Sequence, residues 1–375
     1  MNTLTSRLPN IRFSMLIPAL GFVMMAQTLW ASNPEPLITH EDSLDSRPFQ
    51  FEFEGRTLSG FIDFPKGKDI KSLVVLIPGS GKTYVHTGRW NYELREHLNN
   101  LGVATFSYDK AGCGDSEGEF DYNQSVQNSS EEVLAAINAL KKSDIPGSHN
   151  LGLWGISRAG WIAPLAITQD PGINYWISVS GPNHLDNIYH LLLKNWAIQG
   201  RTEAEIEALG NEWLAGFKIQ HSGGTYAEYE AATPTLATDD FIKKLRGEYN
   251  EERFLKFQNY LIENEIPIDE ETGLQIFIEG FEETLSRIDI PVLAIFGEKD
   301  SQINWEETAV LYKQTLGKNA PLTIETFSDC NHMIRSCETG GFDETMAVLR
   351  EKGLGETCDG YINTIERWLT DYLNR

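Results

Sequence analysis

Residues 72–77, Ser-Leu-Val-Val-Leu-Ile, form an uninterrupted apolar run of strand length, and such a run needs cover on both faces of the sheet that holds it. Further strand-length segments follow at 103–108, 150–154, 175–180, 291–296 and 322–327. Between them lie stretches of helical periodicity at 90–101, 159–168 and 305–316, with a last one at 361–373. Another helix, capped by Ser129 or Ser130 with Glu131 and Glu132 in its first turn, runs through Lys142. Strands alternating with helices predict an α/β fold, a mainly parallel central sheet with helices on both faces. Ahead of them, residues 49–53 alternate in polarity, Glu54-Gly55 turns, and 57–64 returns, which reads as an antiparallel edge hairpin ended by Pro65.

The alternation is broken once. From 183 to 287 only helical patterns occur, with Thr202-Glu203-Ala204-Glu205 as a capping box and 239–249 as an amphipathic stretch. This predicts a helical cap at 184–287 inserted between core segments at 32–183 and 288–375. Residues 186–290 hold 21 acidic and 9 basic side chains, so much of the formal charge of −23 sits there. A surface of that sign repels phosphate backbones, and nucleic acid is not an expected partner.

Arg7 and Arg12 precede an apolar run at 13–26, and Gln27-Thr28-Leu29-Trp30-Ala31-Ser32 follows. Basic, apolar and then small is the order of a secretory signal, so 1–31 reads as a signal peptide and the mature chain as secreted or periplasmic. Pro18 and Gly21 interrupt the run, which is shorter than the roughly twenty apolar residues of a membrane span. No span is expected in the mature chain. Four cysteines, Cys113, Cys330, Cys337 and Cys358, can pair in an oxidising compartment. The Gly-rich stretch between Cys337 and Cys358 favours that pair, with buried free thiols as the competing reading.

Two serines compete as nucleophile. Gly114-Asp115-Ser116-Glu117-Gly118 matches G-x-S-x-G in full, whereas Gly155-Ile156-Ser157-Arg158-Ala159 has Ala in the last place. The chemistry needs a serine on a sharp strand-to-helix turn beside free backbone amides. Ser157 has that context: a strand runs into Gly155, and Ala159-Gly160-Trp161-Ile162-Ala163-Pro164-Leu165 runs out as an apolar helix. Ser116 lies in a polar, acidic loop. The base that such a serine requires is His332, in the short loop after 322–327, and the acid is Asp300, after 291–296, with Asp329 and Glu298 as rivals. Both follow the C-terminal ends of strands, where ligands gather in open α/β sheets.

This order, Ser157, Asp300, His332 on strand ends, resembles the α/β-hydrolase fold, and the set is most similar to secreted esterases related to the dienelactone-hydrolase and serine-aminopeptidase branches. Asp109-Lys110-Ala111-Gly112-Cys113-Gly114-Asp115-Ser116 resembles the D-x-x-G-x-G-x-S loop of that family, which implies a structural part for Ser116. Ala159, and Pro78 where many members carry His, depart from the family pattern. The resemblance implies an oxyanion hole built from the backbone N–H groups of Ser80 and Arg158.

Gly79-Ser80-Gly81-Lys82-Thr83 also looks like the end of a phosphate-binding loop, with Asp109 as the magnesium ligand, but the required first glycine would be residue 76, which is Leu. A binding protein that has kept the fold is the other rival. The expected function is an exported serine hydrolase acting on a small-molecule acyl substrate, with no metal or other cofactor implied, since no metal-ligand cluster or dinucleotide fingerprint occurs. Ester, thioester, lactone and small peptide all remain open. The acidic cap favours neutral or cationic substrates, Arg158 a carboxylate, and the aromatics Tyr189, Trp196, Phe217, Phe257 and Phe277 serve either as an acyl pocket or as cap core.

Overall fold

A computed structural model describes residues 44–85 and 90–375; the segment read as a signal peptide lies outside the described residues. Strands β1 (Asp45–Phe53), β2 (Arg56–Phe64), β3 (Ser72–Ile77), β4 (Val103–Tyr108), β5 (Leu151–Ile156), β6 (Ile173–Val179), β7 (Val292–Gly297) and β8 (Leu322–Phe327) form one eight-stranded sheet in the order β1-β2-β4-β3-β5-β6-β7-β8. β1 and β2 pair antiparallel, as do β2 and β4, and all other pairs are parallel.

The lack of alternation in β3 has a direct cause. Leu73, Val75 and Ile77 enter one hydrophobic core, and Val74 and Leu76 enter a second on the opposite face. Helices α1 (Tyr92–Asn100) and α12 (Tyr361–Leu373) cover the second face. The first is covered by α2 (Val126–Lys142), α3 (Ala159–Ile167), α9 (Phe281–Ser286) and α10 (Trp305–Thr315). Each large aliphatic side chain buried this way contributes roughly 1.5–3 kcal/mol, so the central strands hold the sheet's position firmly.

Between β6 and β7 the chain forms α4 (Ile188–Ile198), α5 (Glu203–His221), α6 (Tyr226–Ala232), α7 (Asp240–Arg246), α8 (Glu251–Glu263) and α9. Thr202 caps α5 through a reciprocal box with Glu205. The segment is not wholly helical, since isolated β-bridges join Leu185 to Ile276 and Ile268 to Gln275. The stretch read as 239–249 is shorter, because α7 stops at Gly247.

Three other expectations are corrected. Helix α2 begins earlier: the Ser125 hydroxyl accepts from the Asn128 N–H at 3.0 Å, while Ser129 and Ser130 are buried inside the helix. Helix α11 (Phe342–Lys352) occupies what reads as a Gly-rich loop; its first turn is flanked by Gly340 and Gly341 and its end by Gly353. The disulfide joins Cys330 to Cys358, not Cys337 to Cys358. Cys330 and Cys358 are buried together in the core between β8 and α12, whereas Cys337 is half-exposed and free, its N–H donating to the Asp329 carbonyl at 3.0 Å.

Candidate active site

The elbow follows from small residues. At 155 a Cβ would stand 2.7 Å from the Ala159 Cβ, and at 160 it would stand 2.7 Å from the Gly181 Cα, so β5 can pass directly into α3 only with glycine at both positions. Ser157 sits between them with φ 57, a left-handed conformation that costs a non-glycine residue about 1–2 kcal/mol. Its N–H donates to the Val179 carbonyl at 2.9 Å, which ties the strained turn to β6. The N–H of Arg158, at the N-terminus of α3, has no acceptor one turn back in the helix and is left for another partner.

Asp300 and His332 come from the ends of β7 and β8. The His332 Nδ1 and Asp300 Oδ2 are 2.7 Å apart, and both residues are buried. The other carboxylate oxygen, Oδ1, accepts from the Gln302 N–H at 2.8 Å and the Ile303 N–H at 3.0 Å, which fixes the acid in place. Neither rival acid reaches the imidazole. Asp329 is exposed and paired with Lys299 at 2.8 Å, and Glu298 accepts from the Thr326 hydroxyl at 2.7 Å. The far ring nitrogen of His332, Nε2, is buried without a hydrogen-bond partner among the described residues.

One small cavity of about 50 Å³ brings together Ser80, Ser157, Arg158 and His332, with Trp161 and Phe277 in its wall. Trp161 and Phe277 stack with ring centroids 4.9 Å apart. Ser80, Arg158, Trp161 and Phe277 also border a cleft of about 980 Å³ that runs past Phe120, Tyr122 and Tyr260. Of the other aromatics, Trp196 is fully buried among the inserted helices, and Phe217 and Phe257 line a cavity within that segment.

The remaining candidates have structural explanations. The Ser116 hydroxyl accepts from the Ser59 N–H at 2.9 Å and donates to the Asp109 carbonyl at 2.6 Å, both buried. Ser116→Ala is therefore expected to cost about 1–3 kcal/mol of stability, by leaving these backbone groups unpaired, while serine-directed labelling of the protein persists. Thermal unfolding beside a labelling assay checks this; loss of labelling in a folded variant would contradict it. Arg158 is not an open carboxylate receptor: its guanidinium donates to the Ser129 hydroxyl at 3.0 Å and the Gln124 carbonyl at 2.5 Å, and burial pushes its pKa down to about 10. The phosphate-loop reading fails on the same kind of evidence, since the Thr83 hydroxyl is taken by the Lys110 N–H at 2.8 Å and Asp109 Oδ1 by the Val85 N–H at 2.7 Å.

Asp186 escaped the sequence reading, because an acid at a segment junction gives no periodic signal. It lines both the cavity at Ser157 and the cavity within the inserted helices. Burial raises its carboxyl to about 6 despite a 2.9 Å hydrogen bond from the Ile188 N–H. The folded protein thus holds a proton that the unfolded chain releases between pH 3.8 and about 6, so stability falls as pH rises through that window. Asp186→Asn keeps the acceptor and removes the charge. It is expected to stabilise the protein by about 1–3 kcal/mol at pH 7 and by nothing near pH 3.5. Equal unfolding temperatures at pH 7 would overturn this.

Comparison with known proteins places these features. The family model described as serine aminopeptidase matches residues 68–209. No curated protein matches the chain. Among solved structures, an esterase of Pyrococcus furiosus is similar at 14% identity, over 92% of this chain and 97% of that one, with a TM-score of 0.50. The esterase Est1E of Butyrivibrio proteoclasticus with ferulic acid bound is similar at 15% identity, over 87% and 100% of the chains, with a TM-score of 0.48. Strand order, elbow and structural likeness agree on one architecture, and the protein has the α/β-hydrolase fold.

Proposed function

We propose that the protein is an exported serine hydrolase that cleaves carboxylic esters through an acyl-enzyme on Ser157. The reading rests above all on the buried pair of Asp300 and His332, 2.7 Å apart, since His332 lines the same cavity as the strained Ser157 and its Nε2 has no hydrogen-bond partner among the described residues. His332 Nε2 takes the proton as Ser157 Oγ attacks the acyl carbonyl, and Asp300 holds the imidazole in the required tautomer. The N–H groups of Ser80 and Arg158 stabilise the oxyanion of the tetrahedral intermediate. His332 then protonates the departing alkoxide, the alcohol leaves, and water deprotonated by the same nitrogen releases the acid. Export is supported by the basic, apolar and small-residue order of residues 1–31 and by the Cys330 to Cys358 disulfide, which suits an oxidising compartment.

The family description favours a second reading, in which the same three residues cleave a peptide bond. Turnover of p-nitrophenyl acetate, butyrate and octanoate beside amino-acid p-nitroanilides separates the two. Ester turnover, with stoichiometric fluorophosphonate labelling mapped to the Ser157 peptide, is the expected result. Anilide turnover alone selects the peptidase, and labelling of another residue removes both.

A further inference from the structure

The loop that carries Ser80 is strung on the two residues that follow β4. Asp109 Oδ1 accepts from the Val85 N–H at 2.7 Å, and the Lys110 N–H donates to the Thr83 hydroxyl at 2.8 Å. The Lys110 side chain reaches further along the same loop. Its Nζ donates to the Gly79 carbonyl at 2.6 Å and to the Gly81 carbonyl at 2.9 Å, and the residue is only 8% exposed. A buried ammonium is thus spent on two peptide oxygens flanking Ser80.

The planar trans peptide gives this contact a direction. The carbonyl of Gly79 and the N–H of Ser80 belong to one rigid unit and point to opposite sides of it. Holding the oxygen on Lys110 therefore turns the Ser80 N–H away from Lys110, and Ser80 lines the cavity at Ser157. A cation on the carbonyl oxygen also polarises the amide and makes its N–H a stronger donor.

We propose that Lys110 is the positioning residue of the oxyanion hole, clamping the peptide between Gly79 and Ser80 so that its N–H meets the developing oxyanion; this rests on the serine-hydrolase reading above. Lys110 also borders the larger cleft, but the role assigned here does not require it to touch substrate. It acts through the peptide, and the benefit grows as negative charge appears on the far side.

Its charge state makes the clamp visible. Burial, with Arg158 nearby, pushes Lys110 down to about 7, opposed by Glu132 and Cys113. The Cys113 thiol beside it also feels the charges of Asp109 and Lys82. Above that pH the clamp loses its charge, and kcat is expected to fall on an alkaline limb that belongs to Lys110.

The test is kinetics of the full-length protein on p-nitrophenyl butyrate from pH 6 to 9, with wild type, Lys110→Met and Lys110→Arg, alongside inhibition by butylboronic acid, which forms a tetrahedral anion on the nucleophile. Lys110→Met is expected to lower kcat about 10–100-fold with KM changed less than about threefold, to weaken the boronate in proportion, and to lack the alkaline limb. Lys110→Arg, permanently charged, is expected to lack the limb and keep more of the rate. Wild-type kcat and boronate affinity in folded Lys110→Met would overturn the proposal. So would an alkaline limb unchanged by either substitution, or a wild type without one, a result that needs no variant to fold. Ester turnover that survives Ser157→Ala would instead remove the underlying reading, so the two failures are distinguishable.

Discussion

Ser157→Ala is expected to lower kcat for p-nitrophenyl butyrate by about a million-fold, the scale on which removing a serine nucleophile acts when base and acid work with it as one unit. The other motif serine cannot stand in. Ser116 is committed to Ser59 and Asp109, and its motif lies in the turn after β4 rather than at the elbow. What survives is the rate supplied by binding and backbone donors, roughly 10³–10⁴ over water. The alanine also relieves no strain, since it occupies the left-handed region no more easily than serine, so unfolding temperature should change little. Burst-phase and steady-state rates, measured against a fluorophosphonate titration of active sites, decide the matter. More than a thousandth of wild-type turnover in the variant would sink the assignment.

Asp300→Asn is expected to cost about 10⁴-fold in kcat while leaving KM and the fold nearly intact. The amide fills the same volume and its Oδ1 still accepts from the N–H groups of Gln302 and Ile303. At Oδ2 it places an N–H where an acceptor is needed, so Nδ1 of His332 must become the lone-pair nitrogen and Nε2 the protonated one. A base protonated on the side facing Ser157 cannot take a proton. Steady-state kinetics with circular dichroism as the folding control tests this. Loss of less than tenfold would mean that another group orients the imidazole, and Asp329, exposed and paired with Lys299, is too remote to be that group.

Much of the sheet is legible in the sequence, because strands buried on both faces leave an uninterrupted apolar record. Ser72–Ile77 and Val103–Tyr108, both fully buried, are the observed β3 and β4. The elbow is legible through its small residues, and Ser80, Ser157, Arg158 and His332, which the sequence singles out, line one cavity together with Asp186, which it does not. What escapes is everything decided by contact across the chain. Ser129 reads as a cap but is the internal acceptor for Arg158; Cys330 finds Cys358 because two segments 28 residues apart share one core. Lys110 reads as one more charge in a polar turn, since no local pattern reveals that its ammonium will be buried under a loop some thirty residues earlier.

The sheet topology separates two properties that a substrate experiences as one. Ser157, Asp300 and His332 stand on the ends of β5, β7 and β8, and the distances among them are set by ladder pairings such as Gly155 with Ser178, Ser178 with Ala294 and Gly297 with Phe327. The inserted helices leave after β6 and return before β7, contributing to none of these pairings. On the proposed reading, the sheet sets the spacing of the reacting residues, while the inserted segment lines the cavity they share through Asp186, Leu191 and Phe277. On that reading, a substitution at Leu191 or Phe277 changes the wall that a substrate meets and leaves the ladder pairings that space Ser157, Asp300 and His332 as they are.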